Sequence, residues 1–129
     1  MAQVKIYGLQ KSLRRYQSAL STAIHEALTS TLQLPIDKKF QRFIALAEMD
    51  FIYPSDRSEQ YTIIEISMFE GRSADIKKQL IRALFTHIHE AVGITPHNIE
   101  ITLFETPKSN WGIRGVCADE LQLNYPTRL

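Results

Sequence analysis

Phe69-Glu70-Gly71-Arg72-Ser73-Ala74-Asp75-Ile76-Lys77-Lys78-Gln79-Leu80 reads as a strand running into a helix. Upstream, Tyr61-Thr62-Ile63-Ile64-Glu65-Ile66-Ser67-Met68 is rich in β-branched and apolar residues, as a strand buried on at least one face requires. Gly71 permits a sharp backbone turn, Ser73 is a preferred N-cap, and Asp75 places a negative charge where the helix dipole favours it. A helix is therefore expected to begin near residue 74. Free amide N–H groups at such a start attract anions, and Arg72 adds a planar donor fork suited to a carboxylate. On the residues alone, Arg72 is either part of a small-acid site or a solvated surface arginine.

Working outward, the same order of elements occurs twice. Ala2-Gln3-Val4-Lys5-Ile6-Tyr7-Gly8 alternates polar and apolar residues as a short strand does. From about Ser12 to Leu32, the residues Leu13, Tyr16, Leu20, Ala23, Ile24, Ala27 and Leu28 recur at spacings of three and four, one face of an amphipathic helix. Pro35-Ile36-Asp37 breaks it, Phe43-Ile44-Ala45-Leu46 reads as a buried strand, and residues 50–60 form a polar loop around Pro54. In the second half the strand 61–69 leads into a helix carrying Ile76, Leu80, Ile81, Leu84, Phe85, Ile88 and Val92, with Gly93 as C-cap. After Thr95-Pro96-His97, residues 98–104 alternate as a strand. Ala23-Ile24-His25-Glu26-Ala27 matches His87-Ile88-His89-Glu90-Ala91 at four of five positions, which suggests that His25 and His89 occupy equivalent places. The expectation is an α+β fold of duplicated β-α-β units in a single domain, 1–129. Its halves span about 1–49 and 61–105, with two helices on one face of a four-stranded sheet. A ferredoxin-like domain shares the element order β-α-β-β-α-β, and strand order separates the two.

Fifteen basic against fourteen acidic residues give a net charge of +1 without a run of like charge, so neither nucleic acid nor an anionic membrane is implied as partner. Cys117 is the only cysteine, so no intrachain disulfide can form and a reducing, cytoplasmic setting is expected. No apolar run approaches the roughly 20 residues of a membrane span, and no signal-peptide core is seen at the front.

Other chemistry finds little support. His25, His87, His89 and His97 lack companions at zinc spacing, so no metal is expected; no G-x-S-x-G elbow and no glycine-rich phosphate loop occurs. Asn110-Trp111-Gly112-Ile113-Arg114-Gly115 sets the only tryptophan among glycines, which suggests close backbone approach, with Trp111 either packing a subunit contact or walling a pocket. Asp37 is open between helix cap, turn residue and site carboxylate. The polar tail 106–129, with Trp111, Tyr125 and Pro126, is expected to lie across a surface or a neighbouring subunit.

With the duplicated βαβ pattern, the Glu70-Gly71-Arg72-Ser73-Ala74-Asp75 turn and the Asn110-Trp111-Gly112 segment together, the sequence resembles the tautomerase superfamily. It is similar to the branch of malonate semialdehyde decarboxylase and cis-3-chloroacrylic acid dehalogenase, over about residues 1–115. The resemblance implies the MIF-like fold, a homotrimer, a small carboxylate substrate and no organic cofactor. A free N-terminal proline would act as acid or base, and an arginine at the position of Arg72 would hold the substrate carboxylate. Phe69, Trp111 and Arg114 are the further substrate-binding candidates.

The chain departs from that pattern at its front, Met1-Ala2-Gln3, where residue 2 is not proline. An Ala2 amine exposed by loss of Met1 would be primary, with an ordinary pKa of about 8. An apolar pocket and a nearby Arg72 would lower it toward neutrality, so that it could abstract an α-proton or form an imine. If Met1 stays, the amine is Met1's. Phe69 and Glu70 stand where the dehalogenase has another arginine, and Leu28, Thr102 and Ile113 stand near three more of its functional positions. These differences argue against dehalogenation. The decarboxylase's aspartate falls close to Asp37, which makes Ala2, Arg72 and Asp37 the catalytic candidates. The rival expectation is a non-catalytic trimer that keeps the scaffold and a carboxylate pocket for a binding or interaction role.

Overall fold

A computed structural model describes residues 1–121; Tyr125 and Pro126 of the tail lie outside the described residues. The order is β1 (Ala2–Leu9), α1 (Gln10–Leu32), β2 (Gln41–Leu46), β3 (Thr62–Phe69), α2 (Ala74–Val92), β4 (Ile99–Thr106), then a small hairpin of β5 (Gly112–Ile113) and β6 (Val116–Cys117). The main sheet runs β2-β1-β3-β4. Each unit pairs its own strands in parallel, Val4 opposite Gln41 and Thr62 opposite Ile99, while β1 and β3 meet antiparallel with Ala2 opposite Met68. This is the duplicated βαβ arrangement, and it excludes the ferredoxin-like alternative.

Alternation along the central strands sends Val4, Ile6, Ile64, Ile66 and Met68 to the helix-covered face, where they are buried against Leu20, Ile24, Leu80, Leu84 and Ile88. Both helices pack there side by side. Among the described residues no helix is long and apolar enough to cross a membrane.

The α2 start is built as its sequence requires. Gly71 has φ 129, a conformation open to glycine at little cost, and the Ser73 hydroxyl accepts the Ile76 N–H at 3.2 Å. Gly93 closes the helix with φ 77, its N–H donating to the His89 carbonyl at 2.9 Å. By contrast α1 starts at Gln10, two residues before its expected start. It follows β1 without a loop and has no side-chain cap; Ser12 is buried and donates to the Glu59 carbonyl at 2.7 Å.

The repeat has one register. Ala2–Leu9 recurs 60 positions later as Thr62–Phe69, the left-handed C-cap Gln33 as Gly93, the short 3-10 helix Glu48–Asp50 as Lys108–Asn110, and Phe51 as Trp111, although α2 starts four residues later than that spacing gives and the 3-10 helix Pro96–Asn98 has no counterpart before β2. The His25/His89 match is therefore out of register, because its spacing is 64. His25 is buried with its Nε2 at 2.7 Å from the Ile36 carbonyl, whereas His89 lies a turn from the end of α2 with Nδ1 at 3.2 Å from the Ile94 carbonyl. The two sequences look alike because both are amphipathic helix ends, and that pattern repeats every turn.

Candidate active site

Antiparallel pairing of β1 with β3 brings the first residues of the chain to the end of β3, where Phe69 leads into the Gly71 turn. Parallel pairing of β3 with β4 brings the residues after Thr106 to the same end. Met1, Phe69, Arg72, Lys108 and Trp111 converge there for reasons of topology alone.

Arg72 is 5% exposed. Its Nη1 donates to the Phe69 carbonyl at 3.3 Å, but Nε and Nη2 are buried without a partner among the described residues. Glu105, the carboxylate whose charge reaches it, is engaged by Lys77 at 2.8 Å. A guanidinium has five donors and no acceptor, so a buried one left with unpaired N–H groups is costly unless an acceptor arrives from outside. Burial pushes its pKa down, opposed by Glu105.

Met1 and Ala2 are also buried, at 3% and 4% exposure. The Met1 amine is pulled from an ordinary 8.0 to about 4, first by burial, then by the positive charge of Arg72 and that of Lys108. It is therefore a neutral lone-pair donor at physiological pH. Phe69, fully buried, forms one wall, and Trp111 meets it edge-on with centroids 4.8 Å apart and planes at 61°. The Lys108 ammonium stands 5.8 Å from the Phe69 ring centroid.

Two candidates stay apart from this cluster. Asp37 is exposed in the turn before β2, at the same end of the sheet but on the far side of β1, and makes no ion pair among the described residues. Arg114 is exposed at the tip of the β5–β6 hairpin with φ 52. That hairpin borders an open cleft of about 480 Å³ lined by Gly112–Cys117 and Glu120. The expected close backbone approach at the glycines around Trp111 is not found, since a Cβ at Gly112 or at Gly115 would meet nothing within 4 Å. Gly115 does need its freedom, at φ 83 in the hairpin turn. Lys108 escaped the sequence reading because it fell in a segment taken as tail. The signal was available, since in a parallel pair the residues following both strands share one end of the sheet.

Two parallel βαβ units joined antiparallel, with an arginine buried at the end where the chain begins and its Nε and Nη2 without partners among the described residues, define a class of duplicated βαβ proteins. The chain belongs to the tautomerase family: the family model described as tautomerase enzyme matches residues 38–114. A 2-hydroxymuconate tautomerase of Comamonas testosteroni is 44% identical over 57 residues, covering 44% of this chain and 90% of that protein. Among solved structures, malonate semialdehyde decarboxylase superposes with a TM-score of 0.77 at 16% identity, covering 86% of this chain and 89% of that one. A fused 4-OT, described as an asymmetric trimer, superposes at 0.80 with 14% identity, covering 91% and 96%. At these identities the superpositions show a shared fold.

Proposed function

We propose that the protein acts on a small 2-oxo or enol carboxylic acid as an isomerase or decarboxylase of the tautomerase type. The observation that carries this reading is the Arg72 guanidinium, buried with Nε and Nη2 unpaired next to a neutral terminal amine. In the proposed reaction a carboxylate docks on Arg72 and is fixed in one orientation. The amine nitrogen takes a proton from the carbon beside the carbonyl and returns it elsewhere on the same skeleton. Phe69 and Trp111 wall the site and exclude water. The base is the Met1 amine as the chain stands, or the Ala2 amine if Met1 is removed. By analogy with the trimers among its structural neighbours, we place the chain in a homotrimer. Asp37 and Arg114, both exposed in one chain, would then reach the site from a neighbouring copy.

A second reading has its own support. An amine with a pKa of about 4 is a weak base at neutral pH, and residue 2 is not proline. Both favour a non-catalytic trimer that holds a small acid for a binding or interaction role. Mass spectrometry of the intact protein, with phenylenolpyruvate turnover by the native chain and by Arg72→Ala, separates the two. Turnover lost in Arg72→Ala supports the enzyme. Retained Met1 with no turnover, together with a carboxylate-dependent rise in melting temperature, supports the binding protein.

A further inference from the structure

In the proposed reaction, removal of a proton from the carbon beside a 2-oxo group turns the C–H electron pair into a C=C bond and drives the carbonyl π pair onto oxygen. The amine nitrogen holds the proton, Arg72 is occupied by the carboxylate, and the new enolate oxygen needs a cation of its own. We propose that Lys108 is that cation, a catalytic residue whose ammonium meets the 2-oxo oxygen as it becomes an enolate. This inference rests on the reading of Arg72 as a carboxylate site.

Placement supports it. Lys108 lies two residues after the end of β4, past Pro107, in the short helix Lys108–Asn110, half-buried, with its Nζ 5.8 Å from the Phe69 ring centroid. The same Phe69 offers its carbonyl to Arg72, so the two cations flank one residue. Among the described residues Lys108 makes no ion pair, although Glu105 lies only three positions away; that carboxylate goes to Lys77 instead. Nor is this charge a by-product of the repeat. Sixty positions earlier, Lys108 is matched by Glu48, tied to Lys11 at 2.8 Å, and Arg72 by Ser12, bonded to a backbone carbonyl. The first crossover end is thus internally neutralised, whereas at the second the one carboxylate whose charge reaches Arg72, Glu105, is taken by Lys77, and neither Arg72 nor Lys108 has an ion-pair partner among the described residues. Lys108 is also close enough to the terminal amine for its charge to help hold that amine neutral, after burial and Arg72.

The test uses two acids and no turnover. Oxalate presents a carboxylate beside a second oxyanion in one plane, as an enolate of a 2-oxo acid does, whereas acetate presents the carboxylate alone. Titrated by calorimetry into the full chain, oxalate should bind about 10-fold or more tighter than acetate, the scale of one charge-assisted hydrogen bond. Lys108→Met should erase most of that preference, weakening oxalate by far more than acetate; Lys108→Arg should keep most of it. With phenylenolpyruvate, Lys108→Met should lower kcat by about 100-fold with little change in KM. A Lys108→Met chain that still prefers oxalate as the native chain does overturns the inference and leaves Arg72 untouched. Failure of both acids to bind the native chain overturns the carboxylate site itself, and Lys108's role with it.

Discussion

The Arg72 guanidinium and the Met1 amine, groups that both ordinarily carry positive charge, sit together in a buried end of the sheet, and the amine gives way: it falls to about 4 while the arginine keeps its proton. The sign of the consequence for stability follows. Between pH 4 and 8 the unfolded chain holds a proton on its amine that the folded chain has released, so stability rises with pH through that window and the gain levels off above 8. Urea unfolding between pH 5.5 and 8 should give midpoints that climb with pH. If dimethylation of the terminal amine, which keeps it titratable, leaves a normal amine pKa in the folded protein by NMR, the burial is wrong.

Removing the arginine should separate stability from binding. Arg72→Met deletes an unpaired buried charge and keeps an unbranched apolar stem, so the ligand-free chain should gain about 1–3 kcal/mol in urea unfolding. The same variant should lose the rise in melting temperature that acetate or oxalate gives the native chain. A destabilised Arg72→Met would mean that Nε and Nη2 have a partner within the protein.

How much of this was legible in the sequence varied with the kind of signal. The β3–α2 turn could be read to the residue, because Gly71, Ser73 and Asp75 each act through local backbone chemistry that their neighbours alone determine. Parallel pairing within each unit followed from element order and the Pro breaks. The depth of Arg72 could not be read, since its burial depends on what the rest of the chain brings over the turn, and a Gly-Arg-Ser sequence looks the same on a surface. The repeat's register was misread from a five-residue helix match, because amphipathic helices resemble themselves at every turn. Lys108 was missed for the opposite reason: nothing local distinguishes it, and only the parallel register of β3 and β4 brings it to the site.

The α2 start also gives a local prediction. Ser73 accepts the Ile76 N–H, so Ser73→Ala should cost about 1 kcal/mol and Ser73→Asp should cost less, since Asp also caps. Thermal unfolding of the three chains checks the order. Because the cap fixes the residue next to Arg72, Ser73→Ala should also weaken acetate binding beyond what its loss of stability explains.

The wall of the site can be probed by coupling rather than by single losses. Phe69 is fully buried and Trp111 only partly, so Phe69→Ala should cost about 3–5 kcal/mol, and Trp111→Ala should cost less. Their edge-to-face contact at 4.8 Å predicts a coupling of about 1 kcal/mol in a double-mutant cycle, with the double variant less destabilised than the two singles added. Phe69→Leu serves the cycle better than Phe69→Ala, because it leaves a smaller cavity and keeps the strand end in place. Additivity within about 0.3 kcal/mol would show that the two rings do not pack on each other. Trp111 would then belong to a contact with another chain, and the wall beside Arg72 would be Phe69 alone.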